Sequence, residues 1–295
     1  MKMINKQKID CLYSYFKDSS KKLKIVCDWD EVIQATEPYA TWLTLKKELA
    51  TKELSNFPSY FNHFWGDSLF KIDYSSYGSR LRCEDKSSPI LATIQNSIRE
   101  NQESILGKQQ AIKNSPNFYQ EAPFLTIAEN LLKLIKENKV ERLIFLSAYD
   151  KKKFPNGDNR KTKIFGETFA KLTRSKDDKK GRLSIQLALV YFDSEVQGQT
   201  KADWIKANAS DFDLFIDDNP NILKSIEEIQ SKQDEEVEGG GFIKHGHELL
   251  EGKINPDMFT VAPYYPAIEE LHHPEVLLVK TSVSSLTKED FNKQE

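Results

Sequence analysis

The sequence predicts an α/β protein: a doubly wound, open parallel sheet carrying a mainly helical insertion. Three observations lead there. Short apolar runs rich in branched residues recur at 23–29, 142–147, 183–192 and 212–217, and continuous runs of this kind form strands buried on both faces of a parallel sheet. From residue 122 onward, segments with helical apolar spacing alternate with those runs, the rhythm of strand–helix–strand units. Residues 34–121 break that rhythm, with clustered aromatics such as "FPSYFNHFWGDSLFKIDYSSY" and few strand-like runs. The core is therefore expected at 1–34 and 122–295, and the helical insertion at 35–121.

Taken in order, residues 9–18 suit a short amphipathic helix with Ile9, Leu12, Tyr13 and Phe16 on one face. "LKIVCDW", 23–29, is the first strand. "PFLTIAENLLKLIKENK" sets Leu125, Ala128, Leu131, Leu132 and Ile135 at helical spacing, with Pro123 near its start. "RLIFLS", 142–147, is the second strand and "KIFGETFAKLTR", 163–174, a helix. "LSIQLALVYF", 183–192, is the third strand, and "TKADWIKANA", 200–209, a helix that Thr200 can cap. "FDLFID", 212–217, is the fourth strand, and "NPNILKSIEEI", 219–229, opens a helix with Pro220 in its first turn. "QDEEVEGGG", 233–241, reads as an acidic, glycine-rich loop. "MFTVAPYY", 258–265, and "EVLLVKTSV", 275–283, add one or two strands, and the tail after about Ser284 reads as loosely held.

The 295 residues, 39% hydrophobic with 17 Phe and 4 Trp, are sufficient for a real core. A net charge of −3 with both signs abundant gives no global field for nucleic acid, so no nucleic-acid partner is expected. The lysine runs at Lys151 to Lys153 and Lys179 to Lys180 read as solvated loops. Three scattered cysteines, Cys11, Cys27 and Cys83, form no CxxC pair and suit a reducing compartment. With no signal-peptide stretch and no apolar run of membrane-spanning length, the expectation is a soluble, cytoplasmic protein without a membrane partner. Oligomeric state is not legible.

In an open parallel sheet the functional crevice lies beyond the carboxyl ends of the strands. The first strand ends in Asp28-Trp29-Asp30, the second in Ser147, and the fourth in Asp217-Asp218, while Lys201 starts the helix after the third. One hydroxyl, one ammonium and four carboxylates thus converge, and each has a use on a phosphate ester. A carboxylate can attack phosphorus, and Asp28 is the natural nucleophile. Attack by an anion on a dianion needs an offsetting cation, and Mg²⁺ prefers carboxylate oxygens, here Asp28 with Asp217 or Asp218. Asp30 can protonate the leaving oxygen and later deprotonate water. Ser147 can donate to a phosphoryl oxygen, and Lys201 can neutralise charge and steady Asp28.

"DWDEV", "FLSA", "TKADWI" and "LFIDD", in that order over residues 23–220, resemble the four motifs of the haloacid dehalogenase superfamily. The resemblance implies a Rossmann-type core with a cap inserted after the first motif. It also implies Mg²⁺-dependent hydrolysis of a small phosphorylated substrate through an aspartyl-phosphate, with Asp28, Asp30, Ser147 and Lys201 catalytic. It implies metal ligation by Asp28, by the backbone carbonyl of Asp30, and by one of Asp217 and Asp218, Asp218 being favoured. The chain departs from the family at Glu31-Val32, where glycine usually follows the second aspartate and eases a tight turn. Alternatives are a nucleotidase or phosphotransferase, and a binding or regulatory protein that keeps the fold without turnover.

Blander readings stand beside these. The Asp28/Asp30 pair alone would be a solvated strand end, Ser147 a turn residue, and Asp217-Asp218 a helix cap. Lys206 competes with Lys201 but lies farther along the helix. Trp29 either shapes a pocket wall or packs. Tyr60, Phe61, Phe64, Trp65, Phe70, Tyr74 and Tyr77 are expected in the core, with Phe64 or Trp65 the candidates to stack on a substrate ring. Arg80 and Arg82 read as surface arginines, and His245, His247, His272 and His273 as loop.

Overall fold

The computed structural model describes residues 7–46, 55–66, 70–73, 80–83, 102–149, 157–173, 185–193, 200–208, 211–238, 254–255, 257–264 and 276–292. Its centre is a seven-stranded, all-parallel sheet: β1 (Gln7–Ile9), β2 (Leu23–Cys27), β5 (Val140–Tyr149), β6 (Gln186–Asp193), β7 (Leu214–Ile216), β8 (Phe259–Tyr264) and β9 (Leu277–Lys280), in the order β1-β9-β8-β7-β2-β5-β6. This is the Rossmann-like α/β architecture. β2 lies in the middle, and Ile25, Val26 and Cys27 are wholly buried because neighbours flank them on both sides. Succession runs outward through β5 and β6, then returns to β7 on the other side of β2. That reversal marks a topological switch point, and right-handed crossovers put the helices of the two halves on opposite faces.

The helix Thr126–Lys136 turns its apolar stripe, Ile127, Leu131, Leu134 and Ile135, wholly inward. It stops where Asn138 takes a left-handed conformation at φ 58, with Lys139 N–H returning to Leu134 C=O at 2.9 Å, a terminus that asparagine tolerates. Thr200 starts the helix Lys201–Asn208 through a reciprocal box: Asp203 Oδ2 accepts from Thr200 N–H at 2.9 Å, and Thr200 Oγ1 accepts from Asp203 N–H at 3.1 Å.

Between β2 and β5 the chain leaves the sheet. It forms helices Thr36–Leu45 and Phe57–Tyr60, a π-helical turn Phe61–Gly66, and helices Gln102–Lys113 and Phe118–Glu121. It also forms an antiparallel strand pair, β3 (Phe70–Asp73) and β4 (Arg80–Cys83), so the insertion is not purely helical. Tyr39, Trp42, Phe57, Tyr60, Phe61 and Phe118 interlock with ring centroids 5.4–6.1 Å apart, an aromatic cluster continuous with the core under the sheet. Trp65 is fully buried and donates from Nε1 to Tyr60 Oη at 3.3 Å, so it packs rather than facing a ligand.

Several sequence expectations are corrected here. Residues 9–18 are not one helix: Ile9 pairs with Val279 in the edge strand β1, and the helix is only Leu12–Phe16. The segment 163–174 divides into the helix Asn159–Glu167 and a 3₁₀ turn Phe169–Thr173. The helix from Pro220 runs on to Glu238, so residues 233–238 of the stretch read as an acidic loop are helical. The tail is anchored, for residues Lys288–Phe291 form a 3₁₀ turn with a Thr287/Asp290 capping box. Phe291 is buried there against Phe169 and Phe124, with centroids 4.8 and 5.6 Å away. Phe291→Ala is expected to cost about 3–5 kcal/mol of stability, read as a lower urea midpoint, because it empties a large buried volume.

The lysine runs at 151–153 and 179–180, Tyr74, Tyr77, His245, His247, His272 and His273 lie outside the described residues, as do the side chains of Phe64, Phe70, Arg80 and Arg82. No described helix is long and apolar enough to cross a membrane.

Candidate active site

Register decides which residues meet at the carboxyl edge. Cys27 is paired with Ile216 on one side and with Phe145 on the other. The next residue on β2, Asp28, is therefore level with Asp217, and Ser147 stands one step farther along β5. Asp28 N–H continues the ladder to Ile216 C=O at 2.8 Å, and Asp217 N–H to Val261 C=O at 3.1 Å. The backbone around both carboxylates is thus held by the sheet.

Asp28, Asp217 and Asp218 each direct one carboxylate oxygen into a common space, these oxygens lying within 4.8 Å of one another. Lys201 enters from the start of its helix and is nearly wholly buried. Its Nζ is 2.7 Å from Asp28 Oδ2 and 2.6 Å from Asp217 Oδ2. The remaining oxygens have partners too: Asp28 Oδ1 accepts from Trp29 N–H at 2.7 Å and Asp217 Oδ1 from Asn219 N–H at 2.9 Å. Burial alone would lower Lys201, but Asp217 and Asp28 more than offset it and hold the ammonium above its usual range. Burial raises Asp217, with Lys201 opposing and Asp28 adding. Asp218 is pushed well up by burial, then by Asp217 and Asp28. Three carboxylates against one ammonium leave an excess of negative charge, and a divalent cation bound to oxygen would relieve it. Asp28, Asp217 and Asp218 each offer one oxygen, a donor set that could hold a metal ion. Lys206 is exposed on the outer side of the same helix, which separates it from this cluster.

Asp30 and Ser147 belong to a neighbouring arrangement. Both contact Lys161, a buried lysine from the helix Asn159–Glu167: Nζ pairs with Asp30 Oδ2 and donates to Ser147 Oγ at 2.7 Å. Partial burial pushes Asp30 up, but Lys161, then Lys113 and Tyr119, hold it below the usual carboxylate range. Tyr119, from the end of the insertion, lies under this group, its ring centroid 5.2 Å from Lys161 Nζ. Lys161 was not anticipated from the sequence. The available signal was its place in a buried stripe with Ile164 and Thr168 at helical spacing.

The turn after Asp28 explains Glu31. Its backbone is left-handed at φ 57, the region glycine enters freely, so the bend forms with a glutamate in it. Holding it there, Glu31 Oε1 accepts from Thr36 Oγ1 and Glu37 N–H, both at 2.6 Å, and Ile33 N–H and Gln34 N–H return to Trp29 C=O. Trp29 points inward, fully buried against Phe145 and Phe169, with Nε1 donating to Gln34 Oε1 at 2.8 Å. It packs and does not line a mouth.

Glu31 is itself buried, and burial pushes its carboxyl from 4.5 up to about 8, the bonds from Thr36 and Glu37 opposing. Between those two values the folded chain keeps a proton that the unfolded chain has released. Stability therefore falls as pH rises through the window, by about 1.4 kcal/mol per pH unit for one proton. Glu31→Gln is expected to flatten this slope, checked by urea unfolding in EDTA from about pH 5 to about pH 8.

No protein-family model matches the chain, and no curated protein matches it.

Proposed function

We propose that this chain is a Mg²⁺-dependent phosphatase of the haloacid dehalogenase type, acting on a small phosphate ester through an aspartyl-phosphate on Asp28. The observation that carries the reading is the meeting of Asp28, Lys201 and Asp217-Asp218, brought together from three remote segments at the switch point of a parallel sheet. When bound, Mg²⁺ supplies the charge neutralisation that lets a carboxylate approach a phosphate dianion.

Asp28 attacks phosphorus, forming a P–O bond while the ester oxygen leaves. Lys201 steadies Asp28, and its ammonium offsets charge that would otherwise repel the phosphoryl group. Ser147 donates its hydroxyl proton to a phosphoryl oxygen. Asp30, held as a carboxylate by Lys161 in the empty site, takes up a proton from solvent as the phosphate dianion binds, gives it to the leaving oxygen and then takes one from the water that displaces Asp28. The insertion at 35–121 acts as the cap, excluding water and choosing the substrate.

The experiment is release of phosphate from para-nitrophenyl phosphate and a panel of phosphate monoesters, with Mg²⁺ and with EDTA. Release that requires Mg²⁺ supports the reading. No release above an Asp28→Asn baseline across the panel overturns it and leaves a binding or regulatory role for the same fold.

A further inference from the structure

Resting on the phosphatase reading, we propose that Lys161 is a positioning residue of this site: it fixes the direction of the Ser147 hydroxyl and anchors Asp30 beside it. The ammonium has three donors and no acceptor. Ser147 Oγ, 2.7 Å from Lys161 Nζ, must therefore accept from it. That engages a lone pair of the serine and leaves its own proton to point elsewhere. Ser147 Oγ donates to Ala148 C=O over 3.5 Å, a contact at the outer limit of hydrogen bonding that a closer acceptor can replace. The hydroxyl is thus set as a donor into the crevice, the orientation that an oxygen-rich, acceptor-only phosphoryl group requires.

The same ammonium pairs with Asp30. Lys161 is buried and holds Asp30 Oδ2, and although the Asp30 side chain is about a third exposed its Oδ1 is buried, so the lysine fixes where this carboxylate stands beside Ser147. Charge supports this arrangement. Asp28, Asp30, Asp217 and Asp218 are balanced by Lys201, Lys161 and one divalent cation. Without Lys161 the cation-loaded site would keep one uncompensated negative charge against an anionic ligand.

The test reads binding rather than turnover, so it is separable from the parent reading. Affinity for inorganic phosphate in the presence of Mg²⁺ is measured calorimetrically for the wild type, Lys161→Met, Ser147→Ala and the double variant, with thermal midpoints alongside. If Lys161 acts through Ser147, each single variant weakens phosphate binding by about tenfold, and the double variant is no more than about twofold worse than either single. Mg²⁺ affinity measured without phosphate stays within about twofold of the wild type in Lys161→Met, because Asp28, Asp217 and Asp218 are untouched. Lys161→Arg keeps the charge but not the point-like head that reaches both partners, and it is expected to bind phosphate between the wild type and Lys161→Met. It also decides the matter should Lys161→Met fail to fold. Multiplying effects in the double variant, wild-type phosphate affinity in either lysine variant, or no phosphate binding by the wild type each overturn the inference. A wild type that binds phosphate but hydrolyses no ester overturns only the phosphatase reading, and the comparison of the four proteins still decides the role of Lys161.

Discussion

Asp28→Asn is expected to reduce Mg²⁺-dependent phosphate release by at least about 10³-fold, while the protein stays folded. Two groups compete for this carboxylate. Lys201 and Trp29 N–H hold its oxygens, and Asp217 and Asp218 repel it from the far side of the cluster. Asparagine keeps the acceptor that Trp29 N–H needs, loses one ion pair, and also removes like-charge repulsion. The two changes oppose each other, so thermal stability in EDTA is expected to move by no more than about 1 kcal/mol. The increment in midpoint that Mg²⁺ brings should shrink, since one ligand oxygen has lost its charge. Raising Mg²⁺ restores whatever is lost through weakened metal binding but not a missing nucleophile. Recovery of release at high Mg²⁺ would therefore reassign Asp28 as ligand only, and unchanged release would remove it from the chemistry. Lys206→Ala, on the exposed face of the helix that carries Lys201, is the matched control with no expected effect.

The parts of this site that were legible share one physical cause. A charged residue at the end of an apolar run cannot lie within a buried sheet, and the ends of parallel strands lie along one edge. Asp28 and Asp217-Asp218 were accordingly readable, and register then explains why they meet, while Ser147 stands on the same edge one step away, against Lys161. What escaped depends on contacts remote in sequence. β1 is three residues long and exists because β9 offers it a ladder. The C-terminal turn is held by one aromatic, Phe291, inserted between Phe124 and Phe169. The helix beyond residue 229 continues through glutamates that local composition assigns to a loop. Lys161 sits in a run of charged residues, "DNRKTK", that looks like a solvated helix start, and only its tertiary partners Asp30 and Ser147 give it a role. Glu31 stood out as a departure from glycine. That it would still adopt the left-handed turn follows from the bonds made to it by Thr36 and Glu37, which no local pattern announces.

Lys201→Met should be the most destabilising change in the cluster and the one most responsive to metal. The ammonium is buried between Asp28 and Asp217, and Asp217 has no contact with solvent. Methionine fills similar volume but leaves these carboxylates facing Asp218 with no cation, and breaking one side of a buried pair costs about 3–5 kcal/mol. The loss should be largest at high pH. Deprived of Lys201, Asp217 and Asp218 are pushed further up, the folded state holds protons that the unfolded state releases, and stability falls as pH rises. Urea unfolding in EDTA measures both effects. Adding Mg²⁺ should then return a large part of the lost stability, so that its stabilising increment is greater in the variant than in the wild type, because the dication neutralises the same oxygens that the lysine did. Phosphate release in saturating Mg²⁺ should still be at least about 10²-fold down, since charge at the phosphoryl group is no longer offset from that side. An equal loss of stability with Mg²⁺ and with EDTA would mean that lysine and metal do not face the same carboxylates. Asp28, Asp217 and Asp218 would then be a buried ionic network serving the fold, and the case for chemistry at this edge of the sheet would fall with it.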